Sequence, residues 1–282
     1  MPPPRKQWCL HPHDDRAARS LAAALNTNAV VAQLLLNRGV ADPQTAKLFV
    51  DSPLSGLHPP ALLPGVSEAA DRLAAAVRDG KKICVYGDYD VDGTTGTAVL
   101  LGLLQRLGAD ATFYVPHRLE EGYGLNAAAV RELADQGVKV LVTVDCGIAS
   151  LAEAEVAKEV GIELIVTDHH EMKDRLPAAA VLVHPRLPGS AYPFAGLSGS
   201  CVAFKLAWAV GQRASGGERV TPELREYLLD AMGLAALGLV ADVVPLRDEN
   251  RIFTRHGLTR LVARPSVGIK ALLDEAKLTD TV

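Results

Sequence analysis

An α/β fold with a doubly wound, mostly parallel five-stranded sheet is predicted from three observations. Short apolar runs recur as "KICVYG", "ATFYVP", "VKVLVTVD", "IELIVTD" and "AVLVHP". Helical patterns near residues 95–107, 126–136 and 149–159 separate them, and the runs are apolar without alternation. Strands alternating with helices imply right-handed crossovers and parallel pairing, and strands apolar on both sides belong to a sheet covered on both faces.

Residues 1–15 are Pro-rich and polar. The next stretch, "RAARSLAAALNTNAVVAQLLLNRG", carries a helical pattern that Gly39 is expected to stop, and "DSPLSGLHPPALLPG" is a turn-rich connector. A helix over "SEAADRLAAAVRDG" then leads into the first strand. After Pro185 the chain turns helical again, in "SGSCVAFKLAWAVGQRA" and "TPELREYLLDAMGLAALGLVADVV", with Gly216 and Gly217 in the loop between. The final "SVGIKALLDEAKLTDTV" reads as a helix that stops without a C-cap. The expected organisation is a helical extension and connector over residues 1–60, packed on the core, an α/β domain over 61–262, and the start of a connector helix at 263–282.

The 282 residues are 49% hydrophobic and 22% charged, enough for a large core and too apolar for wholesale disorder. A net charge of −4 argues against a generally basic nucleic-acid coat and leaves room for a local basic groove. Cys9, Cys84, Cys146 and Cys201 form no C-x-x-C pair, so reduced thiols are expected rather than a disulfide framework or zinc site. No apolar run reaches the roughly 18 residues of a membrane span, and the start lacks a signal-peptide core. A cytoplasmic protein is expected.

Ligands in open parallel sheets bind outside the carboxyl ends of the strands. There the sequence places Asp88, Asp90 and Asp92 after "KICVYG", Asp145 at the end of "VKVLVTVD", and Asp168, His169 and His170 at the end of "IELIVTD". One acid after a strand is ordinarily a turn former or helix cap. Three such clusters on one rim would repel one another at a cost of several kcal/mol unless a cation lies between them. An Asp majority with some imidazole and no thiolate favours Mn²⁺ or Mg²⁺, and the number of acids could hold two ions, an arrangement suited to phosphate-ester hydrolysis. The helix "TTGTAVLLGLLQRLG" would begin just after Asp92 and Gly93 and offer its free N–H groups to a phosphate oxygen.

Arg118, in the loop "PHRLEEGYGLN", is either a phosphate-holding group or a solvated connection. Ser198 and Ser200, in "GLSGSCVAFKL", are first of all helix caps, with anion binding second. Asp242, in "GLVADVVPL", would be costly among apolar neighbours unless partnered. Lys205 reads as a packing residue. The first turn has G-x-x-G but no G-x-G-x-x-G, and its acids would repel a pyrophosphate, so dinucleotide binding is excluded.

Together, "VYGDYDVDGTTGTAVL", "VTVDCGIAS", "VTDHHE" and "ALGLVADVVPL" resemble the four ordered motifs of the DHH phosphoesterase superfamily. With "PHRLEEGYGLN", "LSGSCVAFKL" and "VADVVPLRDENR", they resemble its RecJ branch of single-strand-specific 5′ to 3′ DNA exonucleases, from about Leu54 onward. The resemblance implies that Asp90, Asp92, Asp145, His169 and Asp242 bind two divalent ions, Mn²⁺ preferred and Mg²⁺ possible, with Asp145 bridging. It implies catalytic roles for Asp88 and His170 beside them, and contact of Arg118 with the substrate's phosphate. Phosphatase members carry a His where this chain has Tyr86, which fits the nuclease branch. Family members continue into a second, DHHA1 domain, so a catalytic-core fragment or short paralogue is expected. Its substrate would be single-stranded DNA with a 5′ end, and a single-strand-binding protein would be reached through the missing domains. The alternatives are a phosphoesterase of dinucleotides or very short oligonucleotides, and a non-catalytic binding scaffold.

Overall fold

The computed structural model describes residues 7–278; the first six residues of the Pro-rich start and the last four of the expected connector segment lie outside them. The chain divides into two units, Met1–Gly56 and Leu57–Val282.

In the first unit, α1 (Asp15–Leu25), α2 (Ala29–Leu36) and α3 (Pro43–Asp51) bury Ala18, Leu21, Ala22, Ala32, Leu35 and Ala46 together. The single helical pattern expected up to Gly39 is therefore two helices. Asn26 turns left-handed at φ 51°, and the Asn28 side chain caps α2 by accepting from Val31 N at 2.9 Å. Asn tolerates that conformation and competes with helix by bonding nearby backbone, so "NTN" interrupts an otherwise continuous periodicity. Asp42 caps α3, and Pro43 begins it.

The second unit runs α4 (Val66–Arg78), β1 (Ile83–Gly87), α5 (Val91–Arg106), β2 (Ala111–Tyr114), α6 (Ala127–Asp135), β3 (Val140–Val144), α7 (Leu151–Glu159), β4 (Glu163–Thr167) and β5 (Val181–Val183). It ends in α8 (Gly199–Ala214), α9 (Pro222–Ala241), α10 (Asp248–Ala263) and α11 (Val267–Glu275). All five expected strands form, in the order β2-β1-β3-β4-β5, and every pairing is parallel. Helices α6 and α7 cover one face; α4, α5 and α8 cover the other. Complete burial holds for β1 and β3, but β2 is an edge strand whose Phe113 is 61% exposed. Among the described residues no helix is long and apolar enough to cross a membrane.

Lys205 is not a plain packing residue. Its ammonium, wholly buried in α8, donates to Glu249 Oε1 of α10 and to His58 O, the latter at 2.6 Å. Glu249 also accepts from the Tyr192 hydroxyl and, at 2.8 Å, from His58 N.

From β1 the chain steps outward to β2, then crosses back to form β3 on the other side of β1. This reversal leaves a crevice between the carboxyl ends of β1 and β3, the position at which open α/β sheets bind ligands.

Candidate metal centre

Strands β1, β3 and β4 end one residue before Asp88, Asp145 and Asp168, so neighbouring strands deliver three acids to the same rim of the sheet. Asp88 and Asp145 are 2% and 1% exposed. Burial, with Asp90 nearby, raises the pKa of Asp88. Burial and then the charges of Asp92 and Asp90 push that of Asp145 up to about 10. Asp145 also sits at φ 65°, a left-handed conformation that costs a non-glycine residue about 1–2 kcal/mol.

Three polar atoms of the centre are buried without a hydrogen-bond partner among the described residues: Asp88 Oδ1, Asp145 Oδ1 and His169 Nε2. His169 Nε2 lies 3.2 Å from Asp145 Oδ1 and 3.6 Å from Asp242 Oδ2, within ion-pairing reach of both and hydrogen-bonded to neither. Asp242, the last-turn cap of α9, has its pKa raised first by burial. Three sets of ligand atoms each lie within 4.8 Å: Asp88, Asp90 and Asp145; Asp92, His169 and Asp242; and Asp145, His169 and His170. An oxygen-rich donor set with one or two imidazoles, containing unpartnered buried atoms, fits a divalent cation. Asp145 belongs to two of the three sets and stands between them.

The acids are not equivalent. Asp90 is exposed and caps α5, accepting from Gly93 N at 2.8 Å. The first turn of α5 thus already contains Asp92 and Gly93, so the helix start expected after Gly93 to meet a phosphate oxygen lies earlier, and its N–H groups are engaged within the turn: Gly93 N by the Asp90 carboxylate and Thr94 N by Asp90 O at 3.0 Å. Asp92 is held by the N-terminus of α8. It accepts from Gly199 N at 2.6 Å, Ser200 N at 3.2 Å, Ser198 Oγ at 2.9 Å and Ser200 Oγ at 2.5 Å. Ser198 makes no cap bond to its own helix. The anion received by this helix start is the protein's own Asp92, stabilised by free N–H groups and the positive end of the helix dipole.

Asp168 faces the backbone rather than the crevice. It accepts from Ile148 N at 3.0 Å, His169 N at 2.7 Å, His170 N at 3.1 Å and His170 Nδ1 at 2.7 Å. Burial alone would raise its pKa, but the hydrogen bond and charge of His170 hold it below the ordinary carboxylate value. The same bond raises the pKa of half-exposed His170.

Arg118 is exposed, with its guanidinium 5.1 Å over the ring of Tyr89, and makes no ion pair with a carboxylate among the described residues. Its loop is anchored twice. Tyr86, fully buried and stacked 5.1 Å from Tyr114, donates to Gly124 O at 3.0 Å. The Tyr123 hydroxyl lies 3.3 Å from Asp145 O and 3.1 Å from His170 Nδ1. Tyr86→Phe is expected to cost about 1–2 kcal/mol in urea denaturation, because Gly124 O loses its buried donor.

The residues that sequence reasoning passes over are Tyr123, Gly199 and the backbone at the start of α8. Small residues before an apolar helix are the available signal; what they hold is not legible in the chain. A Cβ on Gly199 would fall 2.2 Å from Asp145 Oδ1. Gly199→Ala is therefore expected to displace Asp145 and weaken Mn²⁺ binding by about 10-fold or more, read by titration calorimetry.

Residues 82–236 match the family model described as the DHH family, N-terminal domain. The single-stranded-DNA-specific exonuclease RecJ of Bacillus subtilis is 42% identical over 95% of this chain, which spans 33% of that protein. RecJ of Escherichia coli is 42% identical over 86% of the chain and 42% of its own length. The chain thus spans about a third to two fifths of these curated relatives. Among solved structures, RecJ of Thermus thermophilus in complex with Mn²⁺ superposes with a TM-score of 0.77 at 35% identity, over 94% of this chain and 36% of that one. An exonuclease RecJ bound to manganese superposes with a TM-score of 0.69 at 41% identity, over 79% of this chain and 54% of that one. With the family model matching residues 82–236, more than half of 282, and every acid of the crevice but Asp242 on the same segment, the chain belongs to the DHH family.

Proposed function

We propose that this chain is the catalytic core of a two-metal phosphodiesterase that degrades single-stranded DNA from a 5′ end and releases 5′-mononucleotides, in DNA repair and recombination. The observation that carries it is the trio of unpartnered buried atoms, Asp88 Oδ1, Asp145 Oδ1 and His169 Nε2, at one crevice. In this reading Asp90, Asp92, Asp145, His169 and Asp242 hold two divalent ions, Asp145 between them. Imidazole among carboxylates favours Mn²⁺ over Mg²⁺, and solved RecJ structures contain manganese or magnesium. The single-strand preference is taken from the relatives' names, and the 5′ polarity from the motif resemblance.

When bound, the ions would activate a water and neutralise charge developing on the scissile phosphate. The chain's residues do the rest. Ser198, Gly199 and Ser200 lock Asp92 in one orientation, so no rearrangement of that carboxylate is needed during the reaction. Asp168 fixes the ring of His170 and favours its protonated form, making His170 the group that holds a proton beside the phosphate. Arg118, over Tyr89, meets the phosphate from the solvent side.

The unit boundary at Gly56 supports a helical extension ahead of the catalytic domain; in this reading the extension covers residues 1–60, the catalytic domain 61–262, and a connector begins at 263. A DNA substrate and the free thiols support a cytoplasmic setting. A single-strand-binding protein would be met through segments of the kind the relatives carry outside the matched part.

The test is Mn²⁺-dependent release of mononucleotides from a 5′-phosphorylated single strand, with a dinucleotide run in parallel. Asp90→Ala and His169→Ala are each expected to remove activity by roughly 10³-fold or more with circular dichroism unchanged. Wild-type rates in either variant would show the site to be wrong. Faster turnover of the dinucleotide than of the long strand would move the assignment to a small-substrate phosphoesterase.

A further inference from the structure

The turn Asp168-His169-His170 leaves the sheet at the end of β4. The pairing of β4 with β5 reaches no further than Thr167 with Val183, so the carbonyls of His169 and His170 need partners from elsewhere. Both partners come from the three residues that follow β5. His184 is fully buried, with Nε2 2.9 Å from His170 O and Nδ1 accepting from Arg186 N at 3.0 Å. A carbonyl only accepts and a backbone N–H only donates, so these contacts select the neutral imidazole with its hydrogen on Nε2. Burial lowers the His184 pKa, in keeping with that form. The Arg186 guanidinium donates to His169 O and pairs with Glu171 at 2.5 Å. Pro185, between them, holds its own φ and stiffens the segment.

We infer that His184 and Arg186 are positioning residues: they cradle the two carbonyls of the turn from beneath, so that His169 presents Nε2 to the metal crevice. The inference rests on the metal-centre reading above. Neither residue reaches the crevice; both act through main-chain oxygens. Asp168 secures the same turn from its N–H side, by accepting from His169 N and His170 N. The peptide units that carry the two imidazoles are thus tied at donor and acceptor ends. A ligand imidazole must be aimed within about 0.5 Å of its productive position, and outer partners of this kind typically change metal affinity by roughly 10–100-fold when lost.

The experiment compares the full chain with His184→Leu, His184→Gln and Arg186→Met, by Mn²⁺ titration calorimetry and by backbone amide exchange without metal. Leu removes both hydrogen bonds of His184, whereas Gln returns an N–H donor at nearly the reach of Nε2. Arg186 is partly exposed, so Arg186→Met tests the other carbonyl without a hole in the core. The expected result is a loss of Mn²⁺ affinity of about 10-fold or more in His184→Leu and Arg186→Met, restored in His184→Gln. The amides of His169 and His170 should exchange faster in the two weakened variants only. Wild-type Mn²⁺ affinity in both His184→Leu and Arg186→Met, or unchanged exchange at residues 169 and 170, overturns the cradle. Absence of Mn²⁺ binding by the unaltered chain would instead sink the metal-centre reading, and the exchange rates would still decide the cradle. Should His184→Leu fail to fold, Arg186→Met against His184→Gln decides between the same two outcomes.

Discussion

Asp145→Asn is expected to abolish Mn²⁺-dependent cleavage, by roughly three orders of magnitude or more, while making the metal-free chain more stable. The two effects have one cause. Asp145 is 1% exposed among other acids, and its pKa is pushed up to about 10 from an ordinary 3.8. Between those values the folded state holds a proton that the unfolded state has released. Its contribution to stability is therefore fully present below about pH 4 and is lost as pH rises toward 10, with a limiting slope of about 1.4 kcal/mol per pH unit. Asn has nearly the same shape, has no such proton to lose, and accepts the φ of 65° at least as readily. In EDTA, urea denaturation should show a stability advantage of Asn over Asp that grows from about pH 6 to about pH 8. In saturating Mn²⁺ the order should invert, because only the wild type gains binding free energy on folding. An Asn variant destabilised in EDTA at both pH values would show that Asp145 is not held at odds with its surroundings.

Glu249→Ala is expected to cost about 3–5 kcal/mol, because it strands the buried Lys205 ammonium without its counter-ion. It also removes an acceptor from the Tyr192 hydroxyl and from His58 N. The double variant Lys205→Met, Glu249→Leu should recover most of the loss, since matched apolar side chains replace a buried pair at little net cost. Urea unfolding of the single and double variants measures both numbers. A loss below about 1 kcal/mol for Glu249→Ala would indicate that water reaches the pair.

The strands and their acids are legible in the sequence because both signals are local. An apolar run of about five residues is visible in any short window, as is the Asp that follows three of them, and five such apolar runs with helical patterns among them leave few topologies open. Periodicity misses the break at Asn26, whose cause is one residue's tolerance of left-handed backbone. The start of α5 lies three residues earlier than the sequence pattern places it, for a related reason: Asp90 is not only a candidate metal ligand but also the cap that begins the helix. Lys205 reads as a packing residue because its neighbours in the chain are apolar. Its partner Glu249 is 44 residues away.

The residues thus carry, in their order alone, the α/β class, the five parallel strands and the acids and imidazoles on one rim. The division of labour among those groups is not local and came from the fold. Asp92 looks like Asp90 in the chain, yet the start of α8, 106 residues later, supplies its hydroxyl and amide donors. Asp168, which heads its motif, is engaged by backbone N–H groups, while Asp145 and His169 keep unpartnered atoms toward the crevice. A carboxylate's chemistry depends on how many donors already reach it and how much water is left around it. Both quantities are set by which distant elements pack against it.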